Sequence, residues 1–404
     1  MPNKSRMQSS KIHEVVYPKR RKVMRHGYLI RNPVKAFIFA LINKIISVAI
    51  FWKVKSTPKT DRMLIAISGH IGDGIVAFPM IERLRVEYPD SKIGILISPL
   101  HVDSVNGIRD IVDFVHVFDH PGYCRSPKVK LFWVNTVIKW IRFNSTLRIK
   151  SYQTVIDVNP YFPNWTPFLF FTYIPTIIGW KSGGFEGLQN HTVERFDSNR
   201  HVSDYPRDLL MVLDSKFGFT KLKPRYNFSG DKRNPFGSAN DFILIHSGCG
   251  AELREWVDQE WRLLVQKLVV NRFKVVICGS GAKEEARASM MADGHGGDVL
   301  NLVNQLSWND YVATMAAAAH VICLESSSQH LAAGLGIPMT VVYGGSTNWF
   351  QWGPGPVVAN MVTHKTPCSV CNRSKCTHRN CIALVSSEEV FRAVYDKVGR
   401  ETGL

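Results

Sequence analysis

An aspartate follows the first apolar segment of the chain, in a position where a carboxylate can do chemistry. Segment 63–68 (MLIAIS) runs into the glycine-containing turn 69–74, and Asp73 stands where a helix is predicted to begin. A carboxylate between a strand and a helix faces the edge of the sheet where ligands bind, so it suits a general base. Asp also commonly caps helices, and the residues alone leave both interpretations open.

Groups that can hold an anion occur in the second half. Ser326–Ser328 follow an apolar segment and open a predicted helix, whose free N–H groups and dipole attract negative charge. His330 lies in the first turn of that helix, and Arg254 can hold phosphate oxygens in a forked geometry. The simpler interpretation is that the serines only cap, the histidine packs, and Arg254 pairs with Glu255 at the surface.

Four of the eight cysteines form the pattern Cys-x2-Cys-x4-Cys-x4-Cys. Four thiolates so spaced can close a tetrahedral site for structural zinc or iron. They would leave no open position for a catalytic metal, and the alternative is free or paired thiols. The four are Cys368, Cys371, Cys376 and Cys381.

Strands and helices alternate in two successive halves, separated by polar, Pro- and Gly-containing sequence over 221–240. This pattern predicts an α/β protein in which two doubly wound, Rossmann-like domains face each other across a cleft. The expected divisions are a basic extension over 1–60, a first domain over 61–230, a second over 238–385 that includes the cysteine cluster 368–381, and a C-terminal helix over 386–404.

The formal charge of +17 is concentrated at the front, since residues 1–60 hold fourteen Lys or Arg and one acid. An apolar run over 36–52 contains Lys44, which argues against a membrane-spanning helix. We predict that 28–54 forms a helix in the membrane interface; the alternative is a helix packed on the protein. Nucleic acid is not an expected partner, because the excess charge is confined to a tail before an apolar helix.

Segment 127–150 sets cations among aromatic and aliphatic residues, with Lys128 and Lys130 near its start. Such a segment can contact a phosphorylated glycolipid or a membrane. It can equally be an ordinary surface helix whose aromatic side chains face the core.

Several blocks in order resemble glycosyltransferase family 9, the lipopolysaccharide heptosyltransferases. The opening SGHIGDGIVAFPMIERLRVEYPDSKIGILIS is similar to the family's first strand, Gly-Asp pair and helix. Four later blocks are also similar: IHSGCGAELREW, CGSGAKEEA, LSWNDYVATMAAAAHVICLESSSQHLAAGLGIP and YGGSTNWFQWGP. The resemblance covers roughly residues 62–395 and implies the GT-B fold.

The resemblance also implies roles. Asp73 would deprotonate the acceptor hydroxyl, and the expected acceptor-binding residues are His70, Gly72, Lys128 and Lys130. The expected donor-binding residues are Ser247, Gly248, Cys249, Gly250, Arg254, Glu284, Leu306, Glu325, Ser326, Ser327, Ser328 and His330.

This chain departs from the family pattern in three places. Glu325 stands where the family usually has Asp, Ser327 and Ser328 replace its Gly and the following residue, and Gly250 with Ala251 alters the first phosphate turn. Losing Gly restricts how closely backbone approaches a phosphate. These departures therefore bear on the identity of the donor sugar and not on the reaction type.

The expected activity is an inverting transfer, needing no cofactor, from a nucleotide-diphosphate sugar, ADP-heptose by resemblance, to an acidic glycolipid of the lipopolysaccharide core. The expected location is cytoplasmic, on the inner face of the bacterial inner membrane. The alternatives are a GT-B transferase with another nucleotide sugar or a protein acceptor, and a non-catalytic nucleotide-binding scaffold at the membrane.

Overall fold

The structure, a computed structural model of the chain, describes residues 33–49, 56–123, 132–194, 200–237, 241–354, 359–371, 373 and 375–402. These residues form two six-stranded parallel sheets with helices on their faces. The predicted α/β class with two doubly wound halves is confirmed. Lys128 and Lys130 lie outside the described residues, as does most of the extension 1–60.

The first sheet and its helices form what we call the first lobe. Buried apolar runs such as Met63–Ala66 build its central strands, as is typical of parallel sheets covered on both faces. Its strands are β1 (Arg62–Ala66), β2 (Lys92–Ile97), β3 (Phe114–Val117), β4 (Thr154–Asp157), β5 (Thr176–Trp180) and β6 (His191–Val193). Its helices are α1 (Pro33–Ala49), α2 (Ile71–Glu87), α3 (Phe132–Ile149), α4 (Thr166–Phe170) and α5 (Pro206–Leu210).

The second lobe repeats the plan. Its strands are β7 (Phe242–His246), β8 (Lys274–Cys278), β9 (Val299–Asn301), β10 (His320–Leu324), β11 (Met339–Val342) and β12 (Ala359–Val362). Its helices are α6 (Asp258–Val270), α7 (Ala282–Ala292), α8 (Trp308–Ala317), α9 (Ser327–Leu335), α10 (Trp349–Trp352), α11 (Asn380–Ala383) and α12 (Ser387–Thr402). Helix α12 packs on α6, where Lys267 pairs with Glu388 at 2.8 Å.

Both sheets reverse strand order at an equivalent point. The orders are β3-β2-β1-β4-β5-β6 and β12-β11-β10-β7-β8-β9, so β1 lies beside β4 and β7 beside β10. Ligands of such sheets bind beyond the carboxyl ends of the strands at this reversal. The turns after β1, β7 and β10 hold Asp73, Ser247–Gly250 and Glu325–Ser328, which places all three segments at those edges.

The two lobes are in direct contact at α2 and α9. At the start of α2, a Cβ on Gly72 would lie 3.0 Å from His330 Cδ2 and 3.6 Å from Ser327 Cα. One cluster of buried apolar residues includes Ile65 and Phe78 of the first lobe together with Leu244 and Leu331 of the second. The apolar core therefore continues from one lobe into the other.

Helix α1 packs on the first lobe through one face. The Phe39 ring lies 4.7 Å from the Phe162 ring and 5.3 Å from the Phe185 ring, and Asn43 is buried. Its other face exposes large apolar side chains, among them Leu41 and Ile45. One face of α1 is therefore packed on the protein, as the alternative interpretation of this segment had it. Contact of the other face with a membrane interface remains a prediction. Over the described residues, none of the helices combines the length and apolarity needed to cross a bilayer.

Candidate active site

The turn after β1 holds the Asp73 carboxylate through the backbone. The His70 N–H donates to Asp73 Oδ2 at 2.7 Å. Gly69 adopts φ +104°, and a Cβ there would lie 2.5 Å from the same oxygen. Only glycine combines this conformation with that approach. Asp73 therefore completes a capping box at the start of α2, and as a residue it is half-buried where the lobes meet. Its role as a base remains a prediction.

Burial raises the pKa of the Asp73 carboxyl above its usual value, although the His70 N–H and the positive charge of Arg254 act in the opposite direction. A carboxylate with a raised pKa accepts a proton more readily near neutral pH. The second lobe reaches this turn through Ser327 and His330, which lie against Gly72.

Sequence reasoning missed a buried histidine that supports this turn. His101 Nε2 lies 3.0 Å from the His70 carbonyl oxygen, and its Nδ1 lies 3.0 Å from Ser98 Oγ. Burial lowers the pKa of His101 to about 4, so the ring is neutral and can donate from Nε2 while accepting at Nδ1. No pattern in the sequence separates this histidine from the others.

A cluster of polar side chains that sequence reasoning also missed, Ser68, Tyr123 and Asn159, lies beside His70. Asn159 Nδ2 donates to Tyr123 Oη at 2.9 Å and to Ser68 Oγ at 2.8 Å, and Tyr123 donates to the Pro163 carbonyl. The His70 side chain is exposed and its ring lies edge-on to Tyr123 at 6.0 Å. These residues come from three different loops at the carboxyl edge of the first sheet.

In the second lobe, the turn after β7 is fixed by a buried arginine. Arg287 Nη1 donates to the Ser247 carbonyl at 2.8 Å, and its Nε bonds to Asp258 at 2.5 Å. Ser247 Oγ is buried and has no hydrogen-bond partner in the part of the chain that the structure describes. The turn therefore presents an unsatisfied hydroxyl where an anion was predicted.

The neighbouring residues that were expected to bind the nucleotide-sugar donor differ in their contacts. Glu284 packs against Gly248 and the backbone of Gly279, and accepts from the Ser280 N–H at 3.2 Å. Cys249 Sγ instead donates to the Ala251 carbonyl at 3.2 Å, and burial raises its pKa to about 11, so it stays a neutral thiol. Leu306 only packs on the apolar core, in partly buried form.

Arg254 pairs across the lobe with the buried Glu325. Its Nη1 lies 3.1 Å from Glu325 Oε1, and Thr347 donates to the other carboxylate oxygen at 2.6 Å. Burial raises the pKa of Glu325, while Arg254 lowers it. The simpler interpretation, a surface pair with Glu255, is wrong, because Arg254 pairs with the buried Glu325 while Glu255 pairs with Lys283. Next to this pair, a Cβ on Gly250 would lie 3.7 Å from Arg254 Nη2, so there is room beside the guanidinium.

The polar side chains at the start of α9 differ in whether they have a hydrogen-bond partner. Ser328 is buried and accepts from Tyr311 Oη at 2.9 Å, so its hydroxyl faces α8. Ser326 Oγ is buried without a partner among the described residues, and His330 Nδ1 likewise. Burial lowers the pKa of His330 to about 3, so this ring is neutral and meets a ligand only by hydrogen bonds.

The four-cysteine cluster lies behind the Arg254–Glu325–Thr347 group. The Cys371 N–H donates to the Gly345 carbonyl at 3.1 Å, and Arg379 Nη1 donates to the Glu252 carbonyl at 2.7 Å. The cluster thus contacts the two loops that carry Thr347 and Arg254. Within the described ranges, no group of three or more His, Cys, Asp or Glu residues is arranged to hold a metal ion.

The geometry brings the turn that carries Asp73 against Ser327 and His330 of the second lobe, and Arg254 joins them through its pair with Glu325. It does not bring Leu306 or the Ser328 hydroxyl into that space. Tyr343 and Thr347, which sequence reasoning missed, join the site through Glu325.

Comparisons with known proteins concern the family and the fold. A family model described as "Glycosyltransferase family 9 (heptosyltransferase)" matches residues 140–382. No curated protein matches the chain in sequence at a significant level.

Solved structures share the fold at low identity. Escherichia coli ADP-heptose LPS heptosyltransferase II has a TM-score of 0.66 at 15% identity, over 84% of this chain and 99% of its own. Escherichia coli heptosyltransferase WaaC with ADP-2-deoxy-2-fluoro heptose has 0.66 at 16%, over 83% and 99%. The iron-containing dodecameric glycosyltransferase TibC from enterotoxigenic Escherichia coli H10407 has 0.51 at 16%, over 86% and 78%.

Proposed function

The chain belongs to glycosyltransferase family 9, the heptosyltransferase family, and is a glycosyltransferase; from this premise we propose an inverting transfer of heptose from ADP-heptose to a lipopolysaccharide-core glycolipid. The observation that carries the proposal is that the turn holding Asp73 lies directly against the start of α9, where a Cβ on Gly72 would be 3.0 Å from His330 Cδ2 and 3.6 Å from Ser327 Cα. Arg254 joins this place through its pair with Glu325, which stands just before α9. A base and an anion-binding group on opposite sides of one space suit nucleophilic attack with departure of a diphosphate.

In this reaction Asp73 takes the proton of the acceptor hydroxyl, whose oxygen attacks the anomeric carbon. The bond to the diphosphate breaks on the opposite face, so the configuration inverts. Negative charge then grows on the leaving phosphate, where oriented donors stabilise it most. Arg254, the Ser247–Gly250 turn and the N–H groups at the start of α9 supply those donors.

In this scheme, the neutral His330 ring and the buried Ser247 hydroxyl act only as hydrogen-bonding groups. Both carry a buried polar atom without a partner among the described residues, which favours a ligand that bonds to them. We assign them to the diphosphate or the sugar hydroxyls. Glu284 would lie near the ribose, and Glu325, one methylene longer than Asp, would set the position of Arg254.

The proposed acceptor-binding surface consists of His70 and Gly72 from the turn after β1, together with the neighbouring Tyr123 and Asn159. An exposed imidazole and a phenol beside the base can bond to sugar or phosphate groups of an acidic glycolipid. The predicted contacts of Lys128 and Lys130 remain predictions, as does peripheral binding of the enzyme at the inner face of the inner membrane.

The cysteine cluster is proposed to bind a structural zinc or iron ion, while catalysis itself uses no cofactor. Cys371 and Cys381 both approach Gly345: the Cys371 N–H donates to its carbonyl at 3.1 Å, and a Cβ on Gly345 would lie 3.0 Å from Cys381 Cβ. The Arg379 N–H approaches Cys376 Sγ at 3.5 Å and lowers its pKa, which favours a thiolate. TibC, a protein of similar fold, is described as iron-containing.

Such an ion would draw the thiolates into a tetrahedron as it binds. Elemental analysis of the purified chain tests this: one zinc or iron per chain, lost in Cys376→Ser, supports the metal. Absence of bound metal would favour free or paired thiols.

A donor screen tests the activity. The purified chain is incubated with a delipidated core oligosaccharide and, in separate reactions, ADP-heptose, UDP-hexoses and GDP-hexoses, and the released nucleotide diphosphate is measured. ADP release that depends on the acceptor is the expected result. Release of UDP or GDP would keep the transferase and replace the donor, whereas transfer only to a polypeptide would replace the acceptor.

A further inference from the structure

The exposed face of α1 forms a continuous apolar stripe. Large side chains at spacings of three and four residues fall on one side of a helix, and five such residues are between 38% and 68% exposed. The five are Ile38, Leu41, Ile42, Ile45 and Val48. At about 1.5 Å per residue, the stripe is about 15 Å long. Soluble surfaces seldom carry so many large apolar side chains together without a binding partner.

The opposite face of α1 is anchored to the protein. Phe39 packs between Phe162 and Phe185, and Asn43 is 2% exposed. Because this face is covered by the first lobe, the stripe is held outward at a fixed place on the enzyme. Lys44 is exposed at the border of the stripe, where a long side chain can keep its ammonium group in water or among lipid phosphates.

The net charge of the segment that contains the stripe favours one occupant. Residues 1–60, which contain α1, carry fourteen Lys or Arg and one acid. A second copy of the chain would carry the same positive excess in this segment, so the two copies would repel each other. An anionic lipid surface attracts these cations, while its acyl region accepts the apolar side chains.

The anchor also fixes where the stripe lies relative to the candidate site. Phe162 follows β4 and Phe185 follows β5, so α1 rests on loops at the carboxyl edge of the first sheet. Asp73 lies at that same edge, after β1. In the loop that carries Phe162, Asn159 bonds to Tyr123 and Ser68 beside the Asp73 turn.

We propose that the stripe of α1 docks the enzyme on an anionic bilayer and holds the acceptor edge of the first lobe near the membrane surface. The docking stands on the stripe and its charge alone. Its benefit to catalysis, delivery of a lipid-anchored acceptor to Asp73, rests on the proposed function.

The test uses the full chain and flotation with vesicles of equimolar phosphatidylcholine and phosphatidylglycerol. The variant Leu41→Ser/Ile45→Ser/Val48→Ser should reduce the bound fraction at least about tenfold, because three apolar side chains no longer enter the interface. The matched control, Val86→Ser/Phe219→Ser/Val270→Ser, removes three side chains that are more exposed but lie elsewhere, and should bind like the wild type. Pure phosphatidylcholine should bind the wild type more weakly.

Unchanged flotation of the stripe variant would overturn the proposal, as would equal losses in both triple variants. A wild-type dimer that the stripe substitutions convert to monomer, without change in flotation, would assign the stripe to a second copy.

A second readout separates this proposal from the activity. Transfer from ADP-heptose is measured with one acceptor embedded in vesicles and with the same acceptor delipidated. The stripe variant should lose rate only with the embedded acceptor. If the wild type transfers heptose to neither, the proposed function fails, while the flotation result still decides the docking.

Discussion

The two sides of the candidate site are held by different forces. In the first lobe, backbone geometry fixes Asp73: a glycine at positive φ, one N–H donor and a neutral histidine behind the turn. In the second lobe, pairs of opposite charge hold the groups that face the anion, with Arg254 on Glu325 and Arg287 on Asp258.

This difference matches the proposed tasks. A base must stay at one position and needs rigid support, which backbone bonds supply. A group that binds and releases a diphosphate needs N–H groups for the phosphate oxygens, and an arginine that a carboxylate holds through one N–H has others to offer. The four predictions below, from the largest effect to the smallest, test whether the two sides differ in this way.

Replacing the base should have the largest effect. Asp73→Asn keeps the size of the side chain and removes its ability to accept a proton, so kcat should fall about a thousandfold. Donor affinity, measured by calorimetry, should stay within about twofold, because Asp73 lies on the acceptor side. Asp90→Asn, an exposed change beyond the other end of α2, is the control and should leave both unchanged.

Backbone support is tested by two glycines of similar conformation. Gly69→Ala and Gly281→Ala both place a side chain at positive φ (+104° and +101°), so each should lower the free energy of unfolding by about 1–2 kcal/mol. Only Gly69 has Asp73 against it; Gly281 has nothing within 4 Å.

Displacing the carboxylate should therefore lower kcat roughly tenfold to a hundredfold in Gly69→Ala alone. Equal activity of the two variants in steady-state assays would contradict the idea that the backbone positions the base.

The ion pair of the second lobe is expected to serve stability and binding separately. Arg254→Ala leaves the buried Glu325 without its cation and should lower the free energy of unfolding by about 2 kcal/mol or more. The donor KM should rise about tenfold through loss of a charge-assisted hydrogen bond.

Adding Glu325→Gln should restore stability in denaturant unfolding, because the uncompensated charge is gone. The raised KM should persist in the double variant. Recovery of both together would mean that Arg254 acts on the donor only through the fold.

The smallest effect concerns pH. Asp73 must be ionised to accept a proton, so kcat/KM should fall as pH drops through its raised pKa. Arg254 lowers that pKa, so Arg254→Gln should move the acidic limb to higher pH, by less than about one unit. Arg148→Gln, at the end of α3, should not move it. An unmoved acidic limb in Arg254→Gln would show that the two sides do not interact, and a shift to lower pH would contradict the expected direction.

The sequence predicted the strand-turn-helix units that carry Asp73, Arg254 and Ser326–Ser328, because their apolar periodicity is long and unbroken. It did not predict β5, whose five residues are all buried and form a short apolar run without periodicity. It also did not predict β6, β9 and β12, which are three or four residues long and lie at sheet edges. Such strands bury too few side chains to leave a periodic signal.

Within the site, sequence reasoning was limited by contacts between distant segments. The residues alone left open a pair between Arg254 and the adjacent Glu255, whereas Arg254 bonds to Glu325, seventy-one positions away. Ser328 was grouped with Ser326, yet successive helical residues point in different directions, and Tyr311 holds Ser328 inward. His101 and Thr347 became visible only once their partners were placed.

The apolar core that runs unbroken from Ile65 and Phe78 to Leu244 and Leu331 has a thermodynamic consequence. If one lobe denatured alone, it would expose the surface that the other buries against it. Cooperativity therefore extends across the boundary between the sheets, and we expect one calorimetric peak on heating, not two. Saturation with a nucleotide that binds only to the second lobe would raise that single melting temperature, and the first lobe would gain the same protection without touching the ligand.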